Sequence, residues 1–363
     1  MSFEPSIAFA GMLSDSAARV AQDQAGRYPQ RPDATLIGDM GWSGVLVPEA
    51  QGGVGGGFAD LASIVEALAR HAVDLPVITR CGIVPTVLSA LPGCALASSL
   101  SNACAEGEAV IELAGPLSAS EPVRPLAARL HGNAWRVSGA TAEAALTGDC
   151  THVLLVCEEE GRGPVLAAVP RAALAGQPVT AYRTMEDLPV QSHALDDWPL
   201  PPDTVLANGP QAQEALRAGW RVAVAAVAAD TVACMGASLS RAIAYLLERK
   251  QFGQALAEFQ ALRHDAARLY IEYEIARNLL QASLRSLEAE RPGPATDAAL
   301  DLLGMHVGQQ AVPFAETIIQ LHGGMGMTRE MPAARLAVRM LANAVRHGDP
   351  LAHRQRLHQM RTA

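Results

Sequence analysis

Three long runs of apolar residues, repeating at intervals of three and four, restrict what this chain can become. The first passes through Val232, Met235, Leu239, Ile243 and Leu246. The second runs from Leu262 through Leu269, Tyr273 and Leu280 to Leu284, and the third from Leu300 through Val307 and Phe314 to Leu321. That spacing puts each set on one face of a helix. Arg291-Pro292-Gly293-Pro294 separates the second run from the third. Four or so helices of this length in succession predict an antiparallel four-helix bundle over residues 208–363. Alanine is abundant and aromatics make up only 4% of the chain, which suits helices that approach each other closely.

The preceding 207 positions divide at about residue 107. Residues 1–107 read as a helical domain broken by glycine and proline, with Asp60–Arg70 as one clear amphipathic piece. The segment GVLVPEAQGGVGGGF before it reads as a short apolar strand or turn followed by a plain flexible glycine loop. Residues 108–207 change character. AVIEL, LHGNAWRVSG, THVLLVCEE, GPVLAAVP and PVTAYRT are short and rich in Val, Leu and Thr, and turn chemistry such as His131-Gly132-Asn133 lies between them. They predict a β domain of meander or barrel type. DDWPLPPD then reads as an extended exit linker. The expected fold class is α+β and multidomain: an N-terminal helical domain, a β-barrel-like middle and a C-terminal bundle.

Charge and composition exclude several partners. The net charge is −9, so the chain carries no basic footprint for nucleic acid or an anionic membrane. MSFEPS lacks the order of a signal peptide, and the apolar run Val222–Ala229 is closed off by Arg221 and Asp230, far short of a span. The six cysteines form no CxxC pair and read as reduced thiols of a cytoplasmic protein. The ten histidines show neither HExxH nor HxxxH spacing, so no metal is expected. GGVGGG (Gly52–Gly57) is a loose dinucleotide fingerprint, but its surroundings do not alternate strand and helix as that fingerprint requires.

Two segments carry more. In ERKQFGQALAEFQ, Arg249, Phe252 and Gln260 bracket a turn between helices. Arginine offers a planar donor fork suited to a pyrophosphate, phenylalanine a flat apolar face, and glutamine a hydrogen bond to a nucleotide or ribose. Read plainly, they are a surface arginine, a core phenylalanine and a cap. In QLHGGMGMTRE, Gly323 and Gly324 either only end a helix or admit something large to bare backbone.

These two segments resemble the C-terminal signatures of the acyl-CoA dehydrogenases. GWSGVLVPEAQGGVGGGFADLASIVEALAR and HGNAWRVSGATAEAALTGD extend the resemblance over most of the chain, and its flavour is that of the small subunit of two-component enzymes acting on bulky thioesters, in lipid or steroid catabolism. The resemblance implies FAD as cofactor, an acyl-CoA thioester as substrate and a separate electron-transfer acceptor. It also implies that Arg249, Phe252, Gln260, Gln320, Gly323 and Gly324 hold the ADP half of a neighbouring subunit's FAD, while the flavin ring lies beside the β domain.

The sequence departs from that pattern where chemistry is expected. The α,β-desaturation needs a carboxylate to take the α-proton. At the two positions where the family places it, this chain has His347 and the neighbourhood of Ala223. The nearest carboxylates are Asp349, which reads as a cap before Pro350, and Asp230, which reads as the polar face of its helix. On the flavin-ring side, the strand end is ELAGPLSASEP (Glu112–Pro122), and Glu143-Ala144-Ala145 stands where the family has an aromatic and a hydroxyl. The leading expectation is a subunit of a heteromeric α2β2 dehydrogenase whose partner supplies the base. The alternatives are a homo-oligomeric dehydrogenase with a relocated base, a non-catalytic structural or regulatory subunit, and a flavin monooxygenase on the same fold.

Overall fold

The computed structural model describes residues 3–132, 134–145, 148–288 and 292–362. Asn133 of the expected turn, Leu146 and Thr147 of the quoted β-region motif, and Arg291 of the expected helix separator lie outside the described residues. Helices come first: α1 (Met12–Gly26), α2 (Leu36–Asp39), α3 (Phe58–Arg70), α4 (Val84–Ser89) and α5 (Ala95–Ala105). Strands β1 (Ile111–Ala114), β2 (Leu126–His131), β3 (Ala134–Ala140), β4 (His152–Glu159), β5 (Gly163–Pro170), β6 (Val179–Arg183), β7 (Pro189–Leu200) and β8 (Val205–Asn208) follow. The remainder is helical: α6 (Gly209–Glu248), a short hairpin of β9 (Lys250–Gln251) and β10 (Gln254–Ala255), then α7 (Gln260–Leu287), α8 (Pro294–His322), α9 (Pro332–Asn343) and α10 (Pro350–Thr362).

The chain divides into two units. One comprises residues 1–32, 58–74 and 224–363, and the other residues 33–57 and 75–223. In the first, the apolar face of α8 is fully sequestered: Leu300, Leu303, Val307, Ala311, Phe314, Ile318 and Leu321 are all buried. It packs against α7, α9 and α10. Residues of the N-terminal segment are bound to α3, where the Glu66 carboxylate accepts the N–H groups of Ala8 and Phe9 at 3.0 Å each.

The second unit is built on a mixed sheet with strand order β6-β7-β3-β2-β4-β5-β8, β1 pairing with β4. The β1–β4 and β2–β4 pairs are parallel, so the sheet is not a simple meander. The expected exit linker is instead the end of β7, the longest strand of the sheet: Val137 pairs with Trp198, and Trp198 is only 8% exposed in the sheet's core. The glycine loop is also not open. Val54, Gly55 and Gly56 donate their N–H groups to the carbonyls of Gly44, Val47 and Val45 at 2.8–2.9 Å. A Cβ on Gly53 would collide with Val47, so glycine is required there for backbone to pack on backbone. With its amides engaged, this loop is no phosphate cradle.

Candidate functional site

The first segment begins where α6 ends. The Arg249 carbonyl accepts the Leu256 N–H at 2.8 Å and its own N–H donates to Tyr245 at 2.9 Å, which turns the chain into the β9–β10 hairpin. Gln251 pairs with Gln254, leaving Phe252 and Gly253 as a two-residue loop. Both have positive φ, 52° and 82°. That is what a tight primed turn needs, and it suits Gly253 but strains a phenylalanine by about 1–3 kcal/mol. Phe252 is nonetheless 89% exposed. Among the described residues, its one ring contact is edge-on with Phe259, with centroids 6.1 Å apart. A large apolar ring held in a left-handed conformation at a hairpin tip gains little from its own chain. Gln260 opens α7 and is exposed, as is Arg249. Among the described residues, no side-chain hydrogen bond or ion pair holds Arg249, Gln260 or Gln320.

The second segment closes α8. His322 is buried, and its Nδ1–H donates to the Ile318 carbonyl at 2.8 Å. Burial lowers its pKa, which keeps the ring neutral. The ring stacks on Tyr245 with centroids 5.0 Å apart. This contact joins the two segments, because Tyr245 lies one helical turn before Arg249 and His322 directly precedes Gly323. The three glycines then have different reasons to be glycine. Gly323 has φ 56° and ψ −140°, a conformation that L side chains avoid. Gly326 is buried, and a Cβ there would stand 2.5 Å from the Ile319 carbonyl. Gly324 has neither constraint: its backbone is exposed and nothing lies within 4 Å of the Cβ it lacks.

The positions expected for a base are occupied otherwise. Ala223 is buried within α6. His347 sits half-buried in the α9–α10 turn with φ 58°. Asp349 is the cap it reads as, its Oδ1 accepting the Ala352 N–H at 2.7 Å. Asp230, however, is not on a polar face. It is fully buried and accepts Arg339 Nε at 2.8 and 3.0 Å and Asn343 Nδ2 at 2.7 Å. The same guanidinium donates to the Val73 carbonyl and to Asp74, at 2.8 and 2.7 Å. A charge inside an apolar helical run must find a buried partner, and Arg339 within AVRML is the signal in the sequence that points to this pair.

A second buried cluster was not visible in the sequence. Arg80 lies in a π-type turn, Ile78–Ile83. Its Nε donates to Glu112 on β1 at 2.6 Å, and its Nη1 and Nη2 donate to Asp149 at 2.7 and 3.2 Å. Burial pushes Glu112 up to about 7, with Arg80 pulling it down and Asp149 adding a smaller upward push. Elsewhere in the second unit, the Leu117 N–H donates to Glu121 Oε1 at 2.9 Å, Ala144 exchanges both backbone bonds with Gln191 at 3.0 Å, and Tyr182 Oη donates to Glu143 at 2.8 Å. Five of the six cysteines are buried; burial raises the thiols of Cys104 and Cys157 to about 12, far from thiolate chemistry.

Comparison with known proteins identifies the lineage of this arrangement. Residues 10–91 match the model of the acyl-CoA dehydrogenase N-terminal domain, and residues 212–359 match that of the C-terminal domain. The chain belongs to the acyl-CoA dehydrogenase family. Members of this family are FAD-dependent oxidoreductases. Among its relatives, the acyl-CoA dehydrogenase FadE34 of Mycobacterium tuberculosis is 28% identical over 317 residues, covering 84% of this chain but only 38% of FadE34. The probable acyl-CoA dehydrogenase FadE25 of Mycobacterium bovis is 23% identical over 338 residues, covering 86% of this chain and 82% of that protein. A variant of the Tcur3481–Tcur3483 steroid ACAD superposes with a TM-score of 0.80 at 26% identity, covering 96% of both chains. Butyryl-CoA dehydrogenase of Megasphaera elsdenii gives 0.83 at 16% identity, covering 98% of this chain and 99% of the other, and shares the helix–sheet–helix fold.

Proposed function

We propose that this chain is one subunit of a heteromeric FAD-dependent acyl-CoA dehydrogenase that desaturates a bulky acyl-CoA thioester at the α,β position. In this reading it holds the ADP half of FAD for a second, related subunit, which carries the base and the flavin-ring pocket in an α2β2 assembly. The observation that carries the reading is Phe252: a strained, 89% exposed aromatic at a hairpin tip, beside an exposed Arg249. Gly324, bare although nothing in this chain requires it to be, points the same way. When bound, FAD supplies the two-electron acceptor for desaturation. Arg249 would offer its fork to the diphosphate, Phe252 its face to the adenine side, and Gln260 and Gln320 hydrogen bonds to polar edges. Gly323 and Gly324 would let backbone approach the anion.

The residues fit only that half of the cofactor. Where the family resemblance puts the ring, Ala144 is buried in the sheet's core, Ala145 has only a methyl group to offer, and the Glu143 carboxylate accepts from Tyr182. Two lines from relatives favour two chains. FadE34 is more than twice as long as the part this chain matches. Two solved relatives, the Tcur3481–Tcur3483 steroid ACAD and the ChsE4–ChsE5 complex of Mycobacterium tuberculosis, are each named for two components. The steroid relative also favours a polycyclic or similarly bulky acyl group, and the family an electron-transfer acceptor in the cytoplasm. The test is to purify the tagged chain from its own cells, with and without retained partners, and to record the visible spectrum and thioester desaturation. Flavin that appears only with a related second subunit supports the reading. A yellow chain that desaturates a thioester alone overturns it in favour of a homo-oligomeric enzyme.

A further inference from the structure

In a chain of net charge −9, one place in the first unit gathers cations. It lies where the end of α3 meets α6 and α9. Cys234 Sγ of α6 reaches the Ala69 carbonyl at 3.9 Å, and Arg339 of α9 donates to the Val73 carbonyl at 2.8 Å. The end of α3 therefore lies between two helix faces. One leads along α6, seven residues on, to Arg241, and the other leads back along α9, by four residues, to Arg335. The N-terminal segment fixes the same place independently. Ser240 Oγ donates to the Phe3 carbonyl at 2.8 Å, and Arg70 Nη2 donates to the Pro5 carbonyl at 2.5 Å. Two residues of chain span at most about 7 Å, so this part of α6 and the end of α3 stand side by side.

His71, Arg241 and Arg335 are each half-buried, so each keeps access to solvent. The Arg335 Cζ stands 3.9 Å from the centroid of the Tyr28 ring, a contact that positions the guanidinium and leaves its donor fork unmatched. Its Nε is buried and, among the described residues, has no acceptor. Arg241 donates only to the Ala237 carbonyl of its own helix, at 3.0 Å. Among the described residues neither arginine is ion-paired: Glu66 holds Arg70 and two amides, and Asp74 holds Arg339 at 2.7 Å. Burial lowers the pKa of His71, Arg241 and Arg335 alike; Arg241 and Arg70 add to it at His71, and Arg335 and Arg70 add to it at Arg241. Half-buried cations that repel one another are stabilised by an anion placed between them. A carboxylate brings two oxygens and one charge. A phosphate monoester brings three oxygens and nearly two charges, which matches two guanidinium forks. We propose that Arg241, Arg335 and His71 form a binding site for a phosphate group, free or as a monoester. The two forks take its oxygens, and the neutral His71 ring donates one N–H. None of the three residues belongs to the two C-terminal segments assigned to ADP, so the inference does not depend on the subunit reading.

The experiment titrates the whole chain with inorganic phosphate, and separately with phenyl phosphate, by calorimetry at constant ionic strength. Wild type should bind one equivalent saturably. Arg241→Gln and Arg335→Gln should each weaken binding by roughly tenfold or more, the loss of a charge-assisted hydrogen bond. Arg249→Ala, in the segment assigned to ADP, should bind as wild type does. Equal affinity for both probes supports a site for phosphorylated ligands, and binding of inorganic phosphate alone supports a site for the free ion. No saturable binding by wild type overturns the proposal. So does binding that Arg241→Gln and Arg335→Gln leave unchanged, or binding that Arg249→Ala abolishes. Should Arg335→Gln fail to fold, Arg335→Lys decides, since it keeps the charge and loses the fork: affinity reduced several-fold supports the proposal, and unchanged affinity overturns it.

Discussion

Replacing Glu112 by glutamine should change how the stability of this protein depends on pH. Glu112 is 3% exposed on β1, and Arg80 must serve both it and Asp149. One guanidinium cannot neutralise two carboxylates, and desolvation disfavours the charged form of the more deeply buried one. Glu112 is accordingly pushed up to about 7, against roughly 4.3 for a free glutamate. Its folded pKa lies above its unfolded value, so in the interval between them the folded chain holds the extra proton. Stability from this group is therefore greatest below about pH 4 and declines as pH rises toward about 7, then stays level. The whole decline amounts to about 3 kcal/mol, at roughly 1.4 kcal/mol for each pKa unit.

Glutamine keeps the shape and an oxygen to accept from Arg80, but removes the ionisation. Urea unfolding of wild type and Glu112→Gln should therefore diverge steadily between about pH 5 and pH 7.5, the variant gaining on wild type by about 2–3 kcal/mol over that range. Parallel stability curves would show that Glu112 is ionised throughout, with Arg80 prevailing over burial. A variant that instead loses ground as pH rises would mean that the carboxylate is held below its ordinary value, and the reasoning from desolvation would be refuted.

The remaining predictions concern the site. Arg249→Ala should weaken FAD retention in the assembled complex by about 1.5–3 kcal/mol without lowering the melting temperature, since Arg249 is exposed; unchanged flavin affinity would remove it from the site. Gly324→Val should lower flavin content at unchanged stability, whereas Gly326→Val should destabilise the fold because its side chain meets the Ile319 carbonyl. Flavin titration beside thermal melts separates the two. His347→Ala should leave single-turnover flavin reduction by a thioester nearly intact, where losing a base costs roughly a hundredfold or more. Asp349→Ala should do the same while costing about 1 kcal/mol as a lost helix cap.

Much of the fold was legible because periodicity reports burial directly. Every member of the Leu300–Leu321 set is buried, and α3 covers the predicted Asp60–Arg70 piece. Legibility failed where one residue's neighbours in space, not in sequence, set its role. Asp196, Asp197 and Pro199 give the end of β7 the look of a linker, yet Trp198 anchors it in the sheet, and the register shift opposite Val137 and Gly139 takes up Asp197 at φ 43°. The parallel β1–β4 and β2–β4 pairs are likewise invisible to local pattern, since no turn chemistry specifies them. Phe252 was legible as a motif residue, but neither its exposure nor its strained backbone can be read from ERKQFG.

The two carboxylates nearest the expected base positions show why a division of labour is physically coherent. A base needs a free lone pair facing the substrate. Asp349 gives an oxygen to the first turn of α10, and Asp230 takes Arg339 and Asn343 while wholly buried. To act as a base, Asp230 would have to release a guanidinium that also holds Asp74 and the Val73 carbonyl, leaving a charged side chain buried and unpaired at a cost of several kcal/mol. Both groups hold the helices together where a catalytic subunit would keep a carboxylate free. The exposed residues of the two C-terminal segments carry no such structural duty. Under the proposed division of labour, outward-facing contacts that the chain does not itself need would serve another subunit's site, while its inner carboxylates serve packing.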